Sequence, residues 1–332
     1  MALLDVMTKS LPKNKNFWTT LPRPFFCLAP MADVTDPAFR TVIAKYGQPD
    51  VMWTEFVSAD GLCSDLGRPK LLPTLRYTEG ERPIVAQIFG STPDNFYTAA
   101  QLLVTLGFDG IDINMGCPEK SISGKQGAGA GLIKQPKLAQ EIIAATKAGG
   151  GGLPVSVKTR LGFSKNEIDT WLPALLAAQP AAITVHGRTR KEMSKVPARW
   201  EAIRQAVEIA RGSGVLIIGN GDVRDLTDAR QRVAEYGVDG VMLGRAIFGN
   251  PWLFDRERSI ADVPLAERLA VMVEHARIYD ELMSGIKPFE LMKKHFKAYV
   301  SGFAGAAELR AKLMTTTNAS EVAAVITQYG SQ

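Results

Sequence analysis

The feature that most narrows the folds open to this chain is a rhythm. Short apolar runs alternate with helix-length amphipathic segments: FFCLAPM then DPAFRTVIAKYG, DVMWTEF then SADGLCSDLG, PIVAQIFG then TPDNFYTAAQLLVTLG. The pattern continues through GIDINMG, PVSVKTRLG, AAITVHGRT, VLIIGNGD and GVMLGRAIFG. Runs this apolar and β-branched suit strands buried on both faces, as in a parallel sheet covered by helices. Eight successive units predict an α/β fold, a (β/α)8 TIM barrel, over residues 1–255. The rival, a doubly wound open sheet, rarely needs eight units, and no G-x-G-x-x-G follows the first run. From about Arg256 only helical segments follow, divided by Gly or Pro, so residues 256–332 are expected to form a C-terminal all-helical domain. A chain of 332 residues, 46% of them hydrophobic, has material for both.

The apolar runs are strand-sized and broken by charge or Gly, so none is expected to span a membrane. MALLDVMTKSLPKNKNFW places Asp5, Lys9 and Pro12 where a signal peptide needs an apolar stretch, and the chain is read as cytoplasmic. Cys27, Cys63 and Cys117 are odd in number and lack a C-x-x-C, which argues against a disulfide framework and a zinc site, so no metal is expected. The balance of 39 Lys+Arg against 34 Asp+Glu is a weak positive bias, consistent with a polyanionic partner.

Active sites of such barrels form at the carboxyl ends of the strands. Nearly every apolar run here stops at a polar or special residue: Pro30 and Met31, Glu55, Gln87, Asn114 with Cys117, Lys158 with Arg160, His186 with Arg188, Asn220 with Asp222, and Gly244 with Arg245. That ring implies a ligand large enough to touch most strands. The glycine-rich last two ends suit a phosphate, since glycines let backbone N–H groups approach an anion, although plain turns use glycines too. Lys158 fits a Schiff-base nucleophile, a partner for a buried acid, or a cation at the electron-rich edge of a flavin. Gln87 fits the imide edge of an isoalloxazine or a satisfied core amide. In the helical segment Lys293, Lys294 and Lys297 cluster, with Lys287, Arg310 and Lys312 nearby, forming either a solvated face or a nucleic-acid track.

APMADVTDPAFR, NMGCP, VSVKTRLG, VHGRTR, GNGDV and GVMLGRAIFGNPWLF, in this order, resemble the tRNA-dihydrouridine synthase family, as does MKKHFKAYVSGFAGAAELR. The resemblance runs from about Phe25 to Leu313. It implies an FMN-dependent barrel, a helical tRNA-binding domain and NADPH as electron donor. Carried over by position, Pro30, Met31 and Ala32 lie against the flavin, while Gln87, Lys158 and His186 contact its ring. Asn220, Gly221, Asp222, Gly244 and Arg245 form the ribityl and phosphate pocket. Asn114 orients the uracil. One departure is KEMSKVPARW after HGRTR, with Met193 and Lys195 where the family commonly has an aromatic and a glycine.

Within that resemblance Cys117 has a task. Reducing uridine needs a hydride at C6 and a proton at C5 on the ring's far face, and a thiol is protonated at neutral pH yet gives up its proton readily. Cys27 and Cys63, in a strand and a helix, read as small buried hydrophobes. The stretch GKQGAGAGL is read as a mobile flap over a flipped base, and Arg160, Arg188, Arg190 and Lys191 as backbone grips beside the pocket. The partner expected is tRNA, with no obligate protein partner and a monomeric chain. Rival readings are an FMN enzyme acting on free pyrimidines, a Schiff-base lyase using Lys158, and an RNA chaperone without catalysis.

Overall fold

The computed structural model describes residues 16–330. Its strands are β1 (Phe25–Leu28), β2 (Met52–Trp53), β3 (Val57–Ser58), β4 (Ile84–Phe89), β5 (Gly110–Met115), β6 (Val155–Arg160), β7 (Ala182–His186), β8 (Leu216–Asn220) and β9 (Gly240–Leu243). All pairings are parallel and run in the order β1-β9-β8-β7-β6-β5-β4-β2, and a bridge from Cys27 to Val51 returns β1 to the start of β2. The sheet therefore closes into the expected TIM barrel. The second predicted strand is broken: β2 and β3 both pair with β4, and the gap holds Thr54, whose hydroxyl donates to the Glu55 carbonyl and accepts from the Gln87 N–H.

Helices α1 (Pro37–Tyr46), α2 (Ala59–Cys63), α3 (Arg68–Leu71), α4 (Pro93–Thr105), α5 (Pro136–Gly149), α6 (Ile168–Ala177), α7 (Trp200–Ala210) and α8 (Leu226–Tyr236) connect the strands. Their starts follow local chemistry. Asp36 accepts from the Phe39 N–H with Pro37 leading α1, and Asp225 accepts from the Asp228 N–H at α8.

Successive side chains on a strand face opposite ways. One set, including Phe26, Ile84, Ile111, Val157, Ile183 and Val241, packs beneath the helices. The alternate set begins apolar, with Phe25, Cys27, Trp53, Val85, Ile218 and Met242 in a separate cluster that Trp18 joins. Further along the same strands this face turns polar, at Gln87, Asp112, Asn114, Ser156, Lys158, His186 and Asn220. A one-residue slip would push Asp112 and Lys158 among the helices, so burial enforces the register.

After the barrel come α9 (Leu265–Met283), α10 (Lys293–Tyr299), α11 (Ala306–Leu313) and α12 (Ala319–Gly330). Helix α10 is short because Phe289–Met292 forms a 3-10 turn ahead of it. These helices share an apolar cluster with Ala38 and Val42 of α1 and with Trp252. In that contact His275 and His295 are buried, 4.8 Å apart by ring centroid and packed against Phe39, and none of their ring nitrogens has a hydrogen-bond partner among the described residues. Among the described residues no helix is long and apolar enough to cross a membrane.

Candidate active site

A cavity of about 660 Å³ opens at the carboxyl ends of the strands, a size common for small-molecule sites. Pro30, Met31, Lys158, Arg160, His186, Arg188, Asn220, Gly221, Asp222, Gly244 and Arg245 all line it. Two residues read as flavin contacts do not. Ala32 is exposed on the loop after β1, and Gln87 is fully buried with its amide engaged on both sides. Ser194, Val223 and Arg224 also line it, alongside Ala29, Met193, Met242 and Ala246, and nothing in the sequence distinguishes those three from ordinary loop residues.

The turn after β8 is built for close approach. Gly221 has φ +127°, and a Cβ there would meet Ala198 at 2.7 Å and the His186 ring at 3.3 Å. Trp200 Nε1 anchors the Gly221 carbonyl at 2.9 Å. Asp222 accepts from Arg188, from Arg245 at 2.7 Å and from the Ala198 N–H at 2.8 Å. Partial burial opposes ionisation of this carboxyl, but those donors hold it below the ordinary range.

Four cations, Lys158, Arg160, Arg188 and Arg245, surround His186. Burial first, then this positive field, pushes the imidazole well below its ordinary value, so it is neutral. Its Nδ1 is buried without a partner among the described residues, and Nε2 lies 3.3 Å from Arg188. Burial, followed by Arg160, lowers Lys158 to about 8, and its ammonium has neither an ion pair nor a hydrogen bond among the described residues. An orphaned ring nitrogen beside an unpaired ammonium in a cationic cavity fits a planar anionic ligand with a polar edge.

Cys117 follows β5 on a half-buried loop. The Asn114 side-chain carbonyl accepts from the Gly116 N–H at 3.0 Å and the Cys117 N–H at 2.8 Å. Burial raises the thiol, although the Glu119 N–H and Arg160 pull the other way. Behind the loop, Asn114 Nδ2 donates to Gln87 at 3.0 Å, Gln87 Nε2 to Asp112 at 2.6 Å, and Ser156 Oγ to Asp112 at 2.5 Å. Burial raises Asp112 to about 6 against those donors and Lys158.

Arg160, expected to grip substrate, is committed within the protein. It donates to the carbonyls of Gly116 (2.7 Å), Thr189 (3.1 Å) and Met193 (3.0 Å), tying the Cys117 loop to the loop after β7. Arg188 is likewise occupied by Val196, Asp222 and His186. The flap reading is corrected as well. Ala128–Ile133 are buried, the Ala130 N–H donates to the Cys117 carbonyl at 3.1 Å, and a Cβ on Gly131 would meet the Ser123 carbonyl at 2.7 Å. Gly129 and Gly131 serve tight packing, so residues 128–133 anchor the cysteine loop, while Gly124, Lys125 and Gln126 are exposed.

The basic helix is divided. Lys294 donates to the Asp33 carbonyl, and Lys287 pairs with Asp33 and Glu55, each at 2.9 Å, so both face the barrel mouth. Lys297 is exposed, Lys293 half-exposed, and neither has an ion pair among the described residues. Of the other cysteines, Cys27 is buried in the bore and Cys63 is partly buried, donating to the Asn95 carbonyl.

Comparison with known proteins gives a consistent result. A family model described as dihydrouridine synthase matches residues 27–330. The chain is 43% identical over 320 residues to "Probable tRNA-dihydrouridine synthase 2" of Bacillus subtilis strain 168, covering 95% of this chain and 97% of that protein. It is 42% identical over 324 residues to "Probable tRNA-dihydrouridine synthase" of Staphylococcus aureus strain COL, covering 96% and 97%. Among solved structures, histamine dehydrogenase from Rhizobium sp. 4-9 is similar in fold, with a TM-score of 0.53 at 13% identity over 76% of this chain and 48% of that one.

Proposed function

The chain belongs to the dihydrouridine synthase family, and from that premise we propose that it reduces uridine to 5,6-dihydrouridine in tRNA, holding FMN in the cavity and taking electrons from NADPH. The barrel, residues 1–255, carries the chemistry, and residues 256–332 hold the RNA. Bound FMN, once reduced, supplies the hydride for C6 of the uracil ring.

The chain's own residues do the rest. Lys158 brings positive charge to the polar edge of the ring site, and neutral His186 offers its unpaired Nδ1. Asn220, Gly221, Asp222, Gly244 and Arg245 hold the ribityl chain and phosphate, Arg245 as a charged fork and the glycines through close backbone approach. Asn114 has one amide hydrogen beyond its bond to Gln87 and offers it to a uracil carbonyl. Cys117 gives its proton to C5, quenching the enolate-like charge that builds after addition at C6. Arg160 and Arg188 are engaged largely with neighbouring groups, so the grip on the RNA backbone is assigned to the exposed or half-exposed cations Lys191, Lys293 and Lys297.

This reading rests above all on one observation: a thiol kept protonated by burial, on a braced loop at the mouth of a barrel whose ligand cavity is cationic. Incubating the protein with unmodified tRNA and NADPH should yield dihydrouridine, while Cys117→Ala should slow its formation about 100-fold or more. Unmodified tRNA after incubation with the flavin-loaded native protein sinks the assignment. The unpaired, depressed Lys158 specifically favours a second reading, a Schiff-base lyase. Borohydride trapping of a carbonyl substrate on Lys158 would establish it.

A further inference from the structure

The buried polar chain behind Cys117 has a direction. A carboxylate only accepts hydrogen bonds, so Asp112 obliges Gln87 to turn its NH2 inward, which it does at 2.6 Å. The Gln87 oxygen must then face Asn114 and takes the Asn114 NH2 at 3.0 Å. That leaves the Asn114 oxygen toward the loop, where two backbone N–H groups converge on it at 3.0 and 2.8 Å. Register assembles the chain, since Gln87 lies opposite Asp112 and Asp112 opposite Ser156 across the paired strands. Reversing Gln87 would set its oxygen against the Asp112 carboxylate and its NH2 against that of Asn114, and reversing Asn114 would set an NH2 against the N–H groups of Gly116 and Cys117.

We propose that Asp112 is a positioning residue for the cysteine loop: as an acceptor-only group, it sets the polarity of the Asp112–Gln87–Asn114 chain and thereby locks Gly116 and Cys117 onto the Asn114 carbonyl. The role of Cys117 as acid rests on the reading above, but the polarity does not. The same logic explains a charged residue in the middle of the apolar strand GIDIN, where a merely structural position would be apolar.

The test is a polarity swap. Asp112→Asn can present NH2 to Gln87 and let the chain reverse. It should speed amide exchange at Gly116 and Cys117 about tenfold, the effect of one lost hydrogen bond, and alkylation of Cys117 by iodoacetamide should accelerate with it. Adding Gln87→Glu restores every role. The amide at position 112 donates to the carboxylate at 87, whose other oxygen accepts from Asn114, with the same formal charge. The double variant should return exchange and alkylation to within about twofold of the native protein. Exchange unchanged in the single variant, or no recovery in the double, overturns the proposal. If Asp112→Asn alone fails to fold, a folded double variant with native exchange supports it, and a double that also fails overturns it. Neither measurement needs tRNA or turnover, so a protein that makes no dihydrouridine yet passes this test refutes the activity and leaves the relay standing.

Discussion

Burial leaves the Lys158 ammonium at about 8, with no direct ion pair among the described residues and the field of Asp112 favouring its charge. An anionic ligand beside it favours the charged form and raises that value. Between pH 8 and 9, FMN binding should therefore take up a fraction of a proton, and Lys158→Met should abolish the uptake. Calorimetry in buffers of different ionisation enthalpy measures it, and binding without proton exchange at that pH would contradict the placement of Lys158 at the ring. Arg160 makes a different kind of contribution. Its three carbonyl contacts are charge-assisted, so Arg160→Met should lower unfolding free energy by about 3 kcal/mol in urea titrations. Strand-end position made Arg160, Arg188 and Gln87 conspicuous in the sequence, but it could not show that Gln87 lies off the cavity or how far the two arginines are engaged by neighbours. That engagement depends on which carbonyls and carboxylates the register brings alongside. Asp112 carried a readable signal, a charge inside an apolar run, whereas its link to Cys117 passes through two other strand positions.

Between elements, the helical segment meets the barrel mouth through the turn before α10. Lys287 reaches both Asp33 and Glu55, and the Glu55 side chain is only 5% exposed. Lys287→Met leaves that carboxylate buried and unpaired, and should cost about 3 kcal/mol of stability and raise KM for tRNA more than it lowers kcat. An equal fall in kcat at unchanged KM would argue against an aligning role. Truncation at Arg256 is a poor probe of RNA binding, because it strips the cover from Ala38, Val42 and Trp252. Reversing the two free charges is cleaner. Lys293→Glu with Lys297→Glu should weaken tRNA binding and reduce the slope of log affinity against log salt by about 2. The alternation of short apolar runs with helix-length amphipathic segments made the strands legible. The break between β2 and β3 was not, because it answers to Gln87 and Lys287 from elsewhere in the chain.

Across the whole molecule, the contact between barrel and helices is most sensitive at the His275–His295 pair. His275 is depressed to about 3 and His295 well below its ordinary value, both by burial first. An unfolded histidine titrates near 6.5. The unfolded state thus binds more protons below that pH, so this contribution is intact above 6.5 and fades as pH falls toward 3. Asp36 and Asp112, raised to about 6, act with the opposite sign. His275→Phe, set among Phe39, His295 and Tyr299, should gain about 2 kcal/mol over the native protein at pH 5 relative to pH 7. A stability difference between the two proteins that is the same at pH 5 as at pH 7 in urea titrations would remove the pair as the acid-sensitive point. The apolar lower bore has a consequence of its own. Among the described residues Trp18, Phe25 and Trp53 plug the shaft from beneath, which leaves the rim as the way in for water. A bulky polyanion seated on the rim is then itself the stopper, and drying out the chamber becomes the visitor's job.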